Sequence, residues 1–243
     1  LALHTFVSGN VLLISTGYYS DRLKILAPSN CDIEVCSYNE IDQINKNYDW
    51  VLCAYTETSK AFKVDLEKIR NLCNKTNAKL YVDATGSIGL EENHNLADVL
   101  AFSSCKGLFG LTGASFVAYK SNLHSSKGSK FYFNLDTHIN KMVTGPYHAV
   151  ASLYGLIENH KQLVKRVKKS KDWVLNNWSD YIESNDNQPL LCTYLNAKIY
   201  QKDDNVVLYK PRSDLKGSVI CHFGEIHSQK ISLEDRITIR PID

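Results

Sequence analysis

The sequence predicts an α/β layered fold built around a mostly parallel sheet. Continuous apolar runs are typical of strands that are covered on both faces. Helix-like segments separate several of these runs, and an alternation of strand and helix favours a parallel sheet. Six such runs occur in the first half of the chain: VLLIS (11–15), IEVCSY (33–38), WVLCAY (50–55), KLYVDA (79–84), VLAFSS (99–104) and ASFVAY (114–119).

The helices are predicted between these strands and in one longer stretch after them. The short ones are expected at 19–27, 40–47 and 65–76. The long stretch covers 145–184, where Thr144 is a candidate N-cap and Pro146 suits the first turn. It contains the basic run KQLVKRVKKSKDW (161–173), whose apolar residues fall near helical spacing. We interpret the basic run as the solvated face of an amphipathic helix.

The chain divides at NDNQP (185–189) into two predicted parts. Residues 1–184 form the large domain, and residues 185–243 form a small C-terminal α+β subdomain, because short strands with polar breaks such as NVVLYK and GSVICHF follow that point. The first ten residues, LALHTFVSGN, resemble the end of a helix and a turn into a strand. The chain begins with Leu rather than Met, so either a segment upstream of it is missing from this sequence or the protein has lost that segment.

Composition limits the classes of function. With 28 basic and 26 acidic residues the formal charge is +2, which favours neither a nucleic-acid nor a membrane-surface partner. The seven cysteines are odd in number and include no CxxC pair, so we expect reduced thiols in a cytoplasmic protein and no metal site. No apolar stretch of about 18 residues is present, so no membrane span is expected.

Two charged side chains follow neighbouring predicted strands. Asp83 ends one apolar run, and Lys106 follows the next within a turn rich in Ser, Cys and Gly. Ligands of open α/β sheets gather at the carboxyl ends of strands. The two residues could form a structural ion pair. Alternatively, the lysine could form a Schiff base with an aldehyde cofactor while the aspartate holds a heterocyclic nitrogen protonated.

Five further segments carry a family resemblance. The ordered set STGYYSDRL, AYTETSKAFKVDLEKI, LYVDATGSIG, ADVLAFSSCKGLFGLTGASFVAY and VTGPYHAVASLYGLIE resembles class V aminotransferases, which are pyridoxal-phosphate enzymes of fold type I. The motifs look most like those of 2-aminoethylphosphonate:pyruvate transaminases, and the resemblance runs from about residue 5 to residue 185 and more thinly to about residue 235. It implies a three-layer α/β/α large domain, pyridoxal 5'-phosphate as cofactor, and a homodimer with shared active sites.

The resemblance also implies roles for individual residues. Lys106 would form the Schiff base and move the proton, while Asp83 would pair with the pyridinium nitrogen. Tyr19 would stack on the ring. The remaining implied cofactor contacts are Thr58 or Ser59 near the ring hydroxyl, Ser104 and Cys105 at the phosphate, and Thr144, which would reach the phosphate of the partner subunit.

Four features depart from the family pattern. The N-terminal segment whose Gly-rich loop supplies much of the phosphate cradle is absent from the sequence. Ala61 stands where the family has a glycine, and Cys105 is a poor phosphate donor. Val219 stands where an arginine grips the substrate's acidic group. Arg212 and His222 are candidate substitutes, although an exposed arginine and a satisfied core histidine are the simpler interpretations.

Three functions follow from this pattern. The first is an aminotransferase that moves an amino group from a small amine or amino acid, such as 2-aminoethylphosphonate, to a 2-oxo acid such as pyruvate. The second is a catalytically degenerate homologue that acts as a binding or structural protein. The third is another class V reaction, such as desulfuration or lyase chemistry. It is disfavoured because desulfurases of this family normally have a histidine shortly before the lysine, and this chain has Ser103, Ser104 and Cys105 there.

Overall fold

The computed structural model describes residues 1–123, 131–140, 143–202, 204, 206–210, 212–223 and 233–242. The strands are β1 (Gly9–Ser15), β2 (Cys31–Ser37), β3 (Trp50–Ala54), β4 (Thr56–Glu57), β5 (Phe62–Lys63), β6 (Lys79–Asp83), β7 (Val99–Ser103), β8 (Ser115–Tyr119), β9 (Cys192–Leu195), β10 (Ala197–Gln201), β11 (Ser218–Cys221) and β12 (Ile237–Pro241). The α-helices are α1 (Ala2–Phe6), α2 (Tyr18–Leu26), α3 (Leu66–Lys75), α4 (Leu135–Ile139), α5 (Tyr147–Ile157), α6 (His160–Asn177) and α7 (Leu233–Arg236).

The central sheet has six strands in the order β2-β1-β3-β6-β7-β8. All neighbouring pairs are parallel except β7 and β8, which run antiparallel. The predicted mostly parallel sheet is therefore confirmed, and all six predicted strands are present within one or two residues of their expected bounds.

Helices cover both faces of this sheet. Successive side chains of a strand point to opposite faces, so a continuous apolar run places apolar side chains on both faces, and both must be covered. One face packs against α3, and its buried side chains include Leu12, Ile14, Val51, Cys53, Leu80, Val82, Leu66, Ile69 and Leu72. The opposite face packs against α1 and α2, and its buried side chains include Val11, Leu13, Leu52, Tyr81, Leu3, Phe6 and Leu23. Burying one such side chain stabilises the fold by about 1.5–3 kcal/mol. The expected three layers, α/β/α, are present.

The two edge strands differ from the expectation of burial on both faces. In β2 only Cys36 is buried, and in β8 no residue is buried. Each edge strand has a neighbour on one side only, so its apolar residues are covered less completely than those of β1 or β3. An apolar run in the sequence therefore did not distinguish an edge strand from a central one.

Two helix predictions are corrected by the structure. The segment expected as a helix at 40–47 forms a 3₁₀-helix over Tyr38–Gln43. The stretch expected as continuous at 145–184 ends α5 at Ile157 and restarts as α6 at His160. Pro146 precedes α5 as its N-cap with no side-chain capping bond, so the expected cap by Thr144 is wrong. The basic run does lie on an amphipathic helix, since Val167 and Val174 of α6 are fully buried.

The C-terminal part contains two separate antiparallel pairs, β9 with β11 and β10 with β12. Residues 206–210 of the NVVLYK segment, which were expected to form a strand, have no regular secondary structure. The segment GSVICHF does contain β11. Among the helices that the structure describes, none is long and apolar enough to cross a bilayer.

Candidate active site

The carboxyl edge of the sheet brings several predicted site residues together. Asp83 ends β6, where it pairs with Ala54 of β3 on one side and Ala101 of β7 on the other. The chain leaving β3 stays close, since the Tyr55 N–H donates to the carbonyl of Asp83 at 3.0 Å. The turns that carry Thr58, Ser59 and Lys106 follow these strand ends, so they open from the same edge.

Asp83 has one carboxylate oxygen that accepts no hydrogen bond. Its Oδ1 accepts from the backbone N–H of Thr85 at 2.9 Å, while the other oxygen has no hydrogen-bond or ion-pair partner in the part of the chain described. The turn after Asp83 lies against Thr58, because a Cβ on Gly86 would be 3.3 Å from the Thr58 Cγ2. The half-buried carboxylate can therefore accept one further donor.

Lys106 is half-buried in the turn that follows β7. Its carbonyl accepts from the Phe109 N–H at 2.8 Å, and the Ser104 carbonyl accepts from the Gly110 N–H at 2.8 Å. Over the described residues, the Lys106 ammonium makes no hydrogen bond, and no ion pair joins it to Asp83. The structural ion pair considered from the sequence is thus not formed, and both charged groups are available to a ligand.

The charge of Lys106 acts on two cysteines of the C-terminal strands. Burial raises the pKa of the Cys192 and Cys221 thiols, and the nearby Lys106 ammonium opposes this effect at both. The Lys106 side chain therefore lies near the β9–β11 pair.

Gly107 fixes the backbone next to Lys106. The Gly107 carbonyl bonds to Nε2 of His160 in α6 at 2.7 Å. A Cβ on Gly107 would overlap with the backbone carbonyl oxygen of Ile88. Because backbone atoms of two packed turns meet here, only a residue without a side chain fits without displacing one of them.

Gly107→Ala is expected to destabilise the protein by about 1–3 kcal/mol, since the methyl group overpacks a backbone contact. Gly155→Ala is the matched control, because a Cβ at Gly155 in α5 meets nothing within 4 Å. The control should be neutral or stabilising by up to about 1 kcal/mol. Urea unfolding of both variants checks this, and equal midpoints would show that the Gly107 contact is not tight.

Ser104 and Cys105, which were expected at the cofactor phosphate, lie in the turn after β7. Ser104 is fully buried, and its hydroxyl bonds to the carbonyls of Leu111 and Ala114. A hydroxyl has one proton to donate, and Ser104 donates it to carbonyl groups of its own loop. The Cys105 thiol forms a hydrogen bond with the Ser103 hydroxyl, at 3.6 Å. The phosphate contacts expected of these two residues stay predictions, and the geometry of Ser104 disfavours its share.

Glu57 organises the Thr58–Ser59 turn, and we did not single it out from the sequence. It is fully buried, and its Oε2 accepts from the N–H groups of Tyr19 and Ser20 at 2.9 and 3.1 Å. Its Oε1 accepts from the Ser59 hydroxyl. A carboxylate at the start of α2 is stabilised by the helix dipole. Ser59 is therefore engaged with Glu57, whereas the Thr58 hydroxyl bonds to none of the described residues.

Tyr19 carries a contact from the C-terminal part of the chain. The Arg212 Nη1 donates to the Tyr19 hydroxyl at 2.8 Å. The Arg212 guanidinium also lies 5.3 and 5.9 Å from the ring centres of Tyr18 and Tyr19, within cation–π range. Since Glu57 holds the backbone of Tyr19, the structure connects Arg212 with the Thr58–Ser59 turn through one aromatic residue.

Thr144 lies at the surface, three residues before α5, and bonds to none of the described residues. The helix it precedes has an unusually apolar exposed face. The exposed fractions on that face are 76% for Tyr147, 46% for Val150, 85% for Tyr154 and 70% for Ile157. These residues recur at helical spacing, so they form one continuous apolar stripe.

His222 is one of the two candidate substitutes for the arginine that the family resemblance places at position 219, and the structure excludes it from that role. Val219 itself packs in a small apolar cluster with Leu191 and Cys192. His222 is fully buried, with its Nδ1 bonded to the Ser170 hydroxyl at 3.2 Å and its Nε2 to the Thr193 hydroxyl at 2.8 Å. His222 is therefore a satisfied core histidine, and both of its ring nitrogens are unavailable to a substrate.

His222 also predicts a pH dependence of stability. Burial lowers its pKa from 6.5 to about 3, so the folded state keeps it neutral while the unfolded state binds a proton below pH 6.5. Its contribution is fully present above about pH 6.5 and is lost as the pH falls, by about 1.4 kcal/mol per pH unit. Urea unfolding of the wild type and His222→Asn between pH 7 and 4 should give the shallower slope for the variant; parallel slopes would contradict this.

The comparisons with known proteins identify the fold. No protein-family model matches the sequence, and neither does any curated protein. Solved structures do match: alanine–glyoxylate aminotransferase from Nostoc sp. has a TM-score of 0.67 and 18% identity over 84% of this chain and 63% of its own. Pyridoxamine-pyruvate aminotransferase from Mesorhizobium loti has a TM-score of 0.66 and 13% identity over 90% of this chain and 68% of its own.

A third match is ureidoglycine-glyoxylate aminotransferase from Bacillus subtilis, with a TM-score of 0.60 and 17% identity over 84% of this chain. The chain spans 62% of that protein's length, so it corresponds to less than two thirds of two of the three neighbours. The chain has the fold of pyridoxal-phosphate-dependent transferases of fold type I. The three solved neighbours are aminotransferases.

Proposed function

We propose that the protein is a pyridoxal-phosphate-dependent aminotransferase with Lys106 and Asp83 at its centre. The observation that carries the proposal is the pair itself: two charged side chains at the ends of neighbouring strands, neither of which has an ion-pair partner in the described structure. Two half-buried opposite charges that open from one sheet edge without pairing with each other are typical of a ligand site. The fold, shared with aminotransferases, supports the same conclusion.

The ring end of the proposed cofactor site is the better-formed end. Pyridoxal phosphate, when bound, supplies an aldehyde carbon for a lysine Schiff base and a protonated ring that withdraws electrons. The free oxygen of Asp83 would accept the ring N–H, Tyr19 would cover one ring face, and Thr58 would contact the ring edge. A phosphoserine aminotransferase among the solved neighbours is described with a Schiff base, which supports assigning that bond to Lys106.

The phosphate end depends on residues that are less well prepared. Ser104 donates within its own loop, and Cys105 is a weak donor. Thr144 has an unengaged hydroxyl at the surface, beside the apolar stripe of α5. We propose that the protein is a homodimer in which α5 packs at the interface and Thr144 reaches the phosphate in the partner subunit. Exposed apolar stripes of this kind support a protein interface.

The substrates follow from charge. We propose a small amine or amino acid as donor, in the class of 2-aminoethylphosphonate, and a 2-oxo acid such as pyruvate as acceptor. Arg212 would bind the acidic group, because its guanidinium is exposed, lies beside Tyr19 and has no ion-pair partner in the described structure. Val219 and His222 lack this capacity. Guanidinium groups bind carboxylates and phosphonates in a bidentate manner.

Arg212→Met is expected to raise KM for anionic donors by about 10-fold to 100-fold, since a hydrogen bond to a charged group contributes about 1.5–3 kcal/mol. KM for a neutral amine should stay unchanged. Arg240→Met is the matched control, because Arg240 also lies over a tyrosine, 5.0 Å from the Tyr200 ring centre. An equal effect of both variants, or an equal effect on neutral amines, would contradict this role for Arg212.

The experiment that tests the function is an amino-transfer assay with added pyridoxal phosphate. A panel of aminophosphonates and amino acids is paired with pyruvate and glyoxylate, and formation of the new amino acid is measured by chromatography. Turnover with any pair would support the proposal. Its failure with every pair, while the protein still binds the cofactor, would favour the alternative.

That alternative is a degenerate homologue that keeps the fold and acts as a binding or structural protein. Two observations favour it: the Ser104 hydroxyl donates within its own loop, and the partly buried Val219 packs against an apolar cluster. The retained Asp83 and Lys106 favour an enzyme. We also propose a cytoplasmic location, because all seven cysteines are free thiols in the structure.

A further inference from the structure

Cys192 and Cys221 face each other across the β9–β11 pair. The two strands are antiparallel, and the register places Cys221 directly opposite Cys192. Neighbouring positions confirm this register, since Val219 is opposite Tyr194 and Ile220 is opposite Thr193. None of the other five cysteines is paired with a cysteine in the described strands.

Hydrogen bonding shows which kind of antiparallel pair this is. The His222 N–H donates to the Leu191 carbonyl at 2.9 Å, so the bond joins the residues just outside the two cysteines. The cysteines therefore occupy a non-hydrogen-bonded position, where the Cα atoms lie about 4.5 Å apart and side chains are closest. Disulfides span Cα separations of about 4.4–6.8 Å. The backbone can accept a cross-strand disulfide with little rearrangement.

Both cysteine side chains belong to the same face of the strand pair. Cys192 packs with Tyr194 and Val219 in one apolar cluster. Thr193 and His222 bond to each other on the opposite face. Side chains alternate between faces along a strand, so Cys221, two residues after Val219, points to the same side as Cys192. The two thiols therefore share one environment, which also contains Lys106.

The two thiols differ in access. Cys192 is 2% exposed, whereas Cys221 is exposed at the end of β11. Atoms around the Cys221 sulfur still raise the pKa of its thiol through burial, and the Phe223 N–H and the Lys106 ammonium oppose that effect. Burial is the largest of these effects, so the pKa of the Cys221 thiol is raised, and the order of reaction rests on access to solvent. An oxidant from solvent would reach Cys221 first because Cys192 is buried, and Cys192 would respond second.

We propose that Cys192 and Cys221 form a redox modification site that a hydroperoxide converts to a cross-strand disulfide. The Cys221 thiol gives up its proton as its sulfur attacks a peroxide oxygen, the O–O bond breaks, and the proton goes to the leaving oxygen, so that a sulfenic acid and one water or alcohol form. The Cys192 sulfur then attacks the Cys221 sulfur, the S–O bond breaks, and a water leaves with the thiol proton. The two thiols lose two electrons and the peroxide gains two.

The test uses the folded protein and does not require bound cofactor. Native protein is treated with hydrogen peroxide, unreacted thiols are alkylated, and the digest is examined by mass spectrometry without reduction. We expect one principal cross-linked product, which joins the peptides of Cys192 and Cys221 and disappears on treatment with dithiothreitol. Cys221→Ser should abolish it, whereas Cys31→Ser, which removes a partly exposed cysteine at the far edge strand, should leave it unchanged.

The result that would overturn the proposal is wild-type protein without this cross-link. That includes free thiols at both positions, over-oxidation of Cys221 without a cross-link, or a principal disulfide to another cysteine such as Cys105. Because the readout is a covalent bond between two peptides, its outcome is independent of whether the protein transfers amino groups.

Discussion

Lys106→Ala is expected to reduce amino transfer by at least about 10³-fold, while the fold is retained. On the proposed function, the Lys106 amine carries the covalent bond to the cofactor and then moves the proton of the substrate. Proton transfer by a positioned side chain alone contributes about 10²–10⁴-fold. Lys106 makes no hydrogen bond or ion pair within the described structure, so its removal leaves no buried partner unsatisfied.

Lys168→Ala is the matched control for this variant. Lys168 is an exposed lysine of α6, and its loss should change neither turnover nor stability by a measurable amount. The rates are measured under saturating donor and acceptor, with circular dichroism to check folding. If Lys106→Ala turned over at the wild-type rate, the assignment of this lysine would be wrong.

Asp83→Asn is expected to reduce the rate of amino transfer by about 10-fold to 100-fold. Asparagine has nearly the same shape but no charge, so it loses the charge-assisted bond to a protonated ring nitrogen, which contributes about 1.5–3 kcal/mol. The Thr85 N–H bond to the side-chain oxygen at 2.9 Å can be kept by the amide. The turn is therefore expected to keep its structure, and the lower rate would come from the loss of the negative charge.

Asp32→Asn provides the comparison for Asp83. Asp32 is an exposed aspartate on the edge strand β2, so neutralising it should leave the rate unchanged. The measurement is kcat for each variant with saturating cofactor, which separates chemistry from cofactor affinity. A rate for Asp83→Asn equal to that of Asp32→Asn would contradict the proposed role of the carboxylate.

The fold of the central sheet could be predicted because its signal is local. Each of the six strands was marked by a short, mostly apolar run, and a helix between two strands returns the chain so that the next strand can run parallel. The edge position of β2 did leave a signal in the sequence, since Asp32 and Glu34 alternate with apolar residues in β2 whereas every residue of β3 is apolar. The break between α5 and α6 lies at Glu158 and Asn159, where no proline or glycine marks it.

The site could be predicted less completely than the fold. The sequence pattern predicted that Asp83 ends a strand and that Lys106 lies in the turn after the next strand. In the structure these strands, β6 and β7, are parallel neighbours, so both residues follow the same edge of the sheet. The role of Glu57 depends on the chain returning to the start of α2, which a single sequence does not reveal. The signal that was available is a glutamate directly after a buried strand, where a lone carboxylate requires several donors.

The contact of Arg212 with Tyr19 shows the same limitation. The two residues are 193 positions apart, so only tertiary structure brings them together. By contrast, the sequence correctly favoured a core role for His222. Arg212 is exposed, as the simpler interpretation predicted. That interpretation did not predict its contact with Tyr19.

The lysine that forms the Schiff base can be identified by trapping the cofactor on it. The wild-type protein is incubated with pyridoxal phosphate, reduced with borohydride, digested and mapped by mass spectrometry. We predict a yellow solution that borohydride bleaches, with the phosphopyridoxyl group on Lys106 as the principal product. A reduced adduct mainly on other lysines such as Lys168, with Lys106 unmodified, would contradict it.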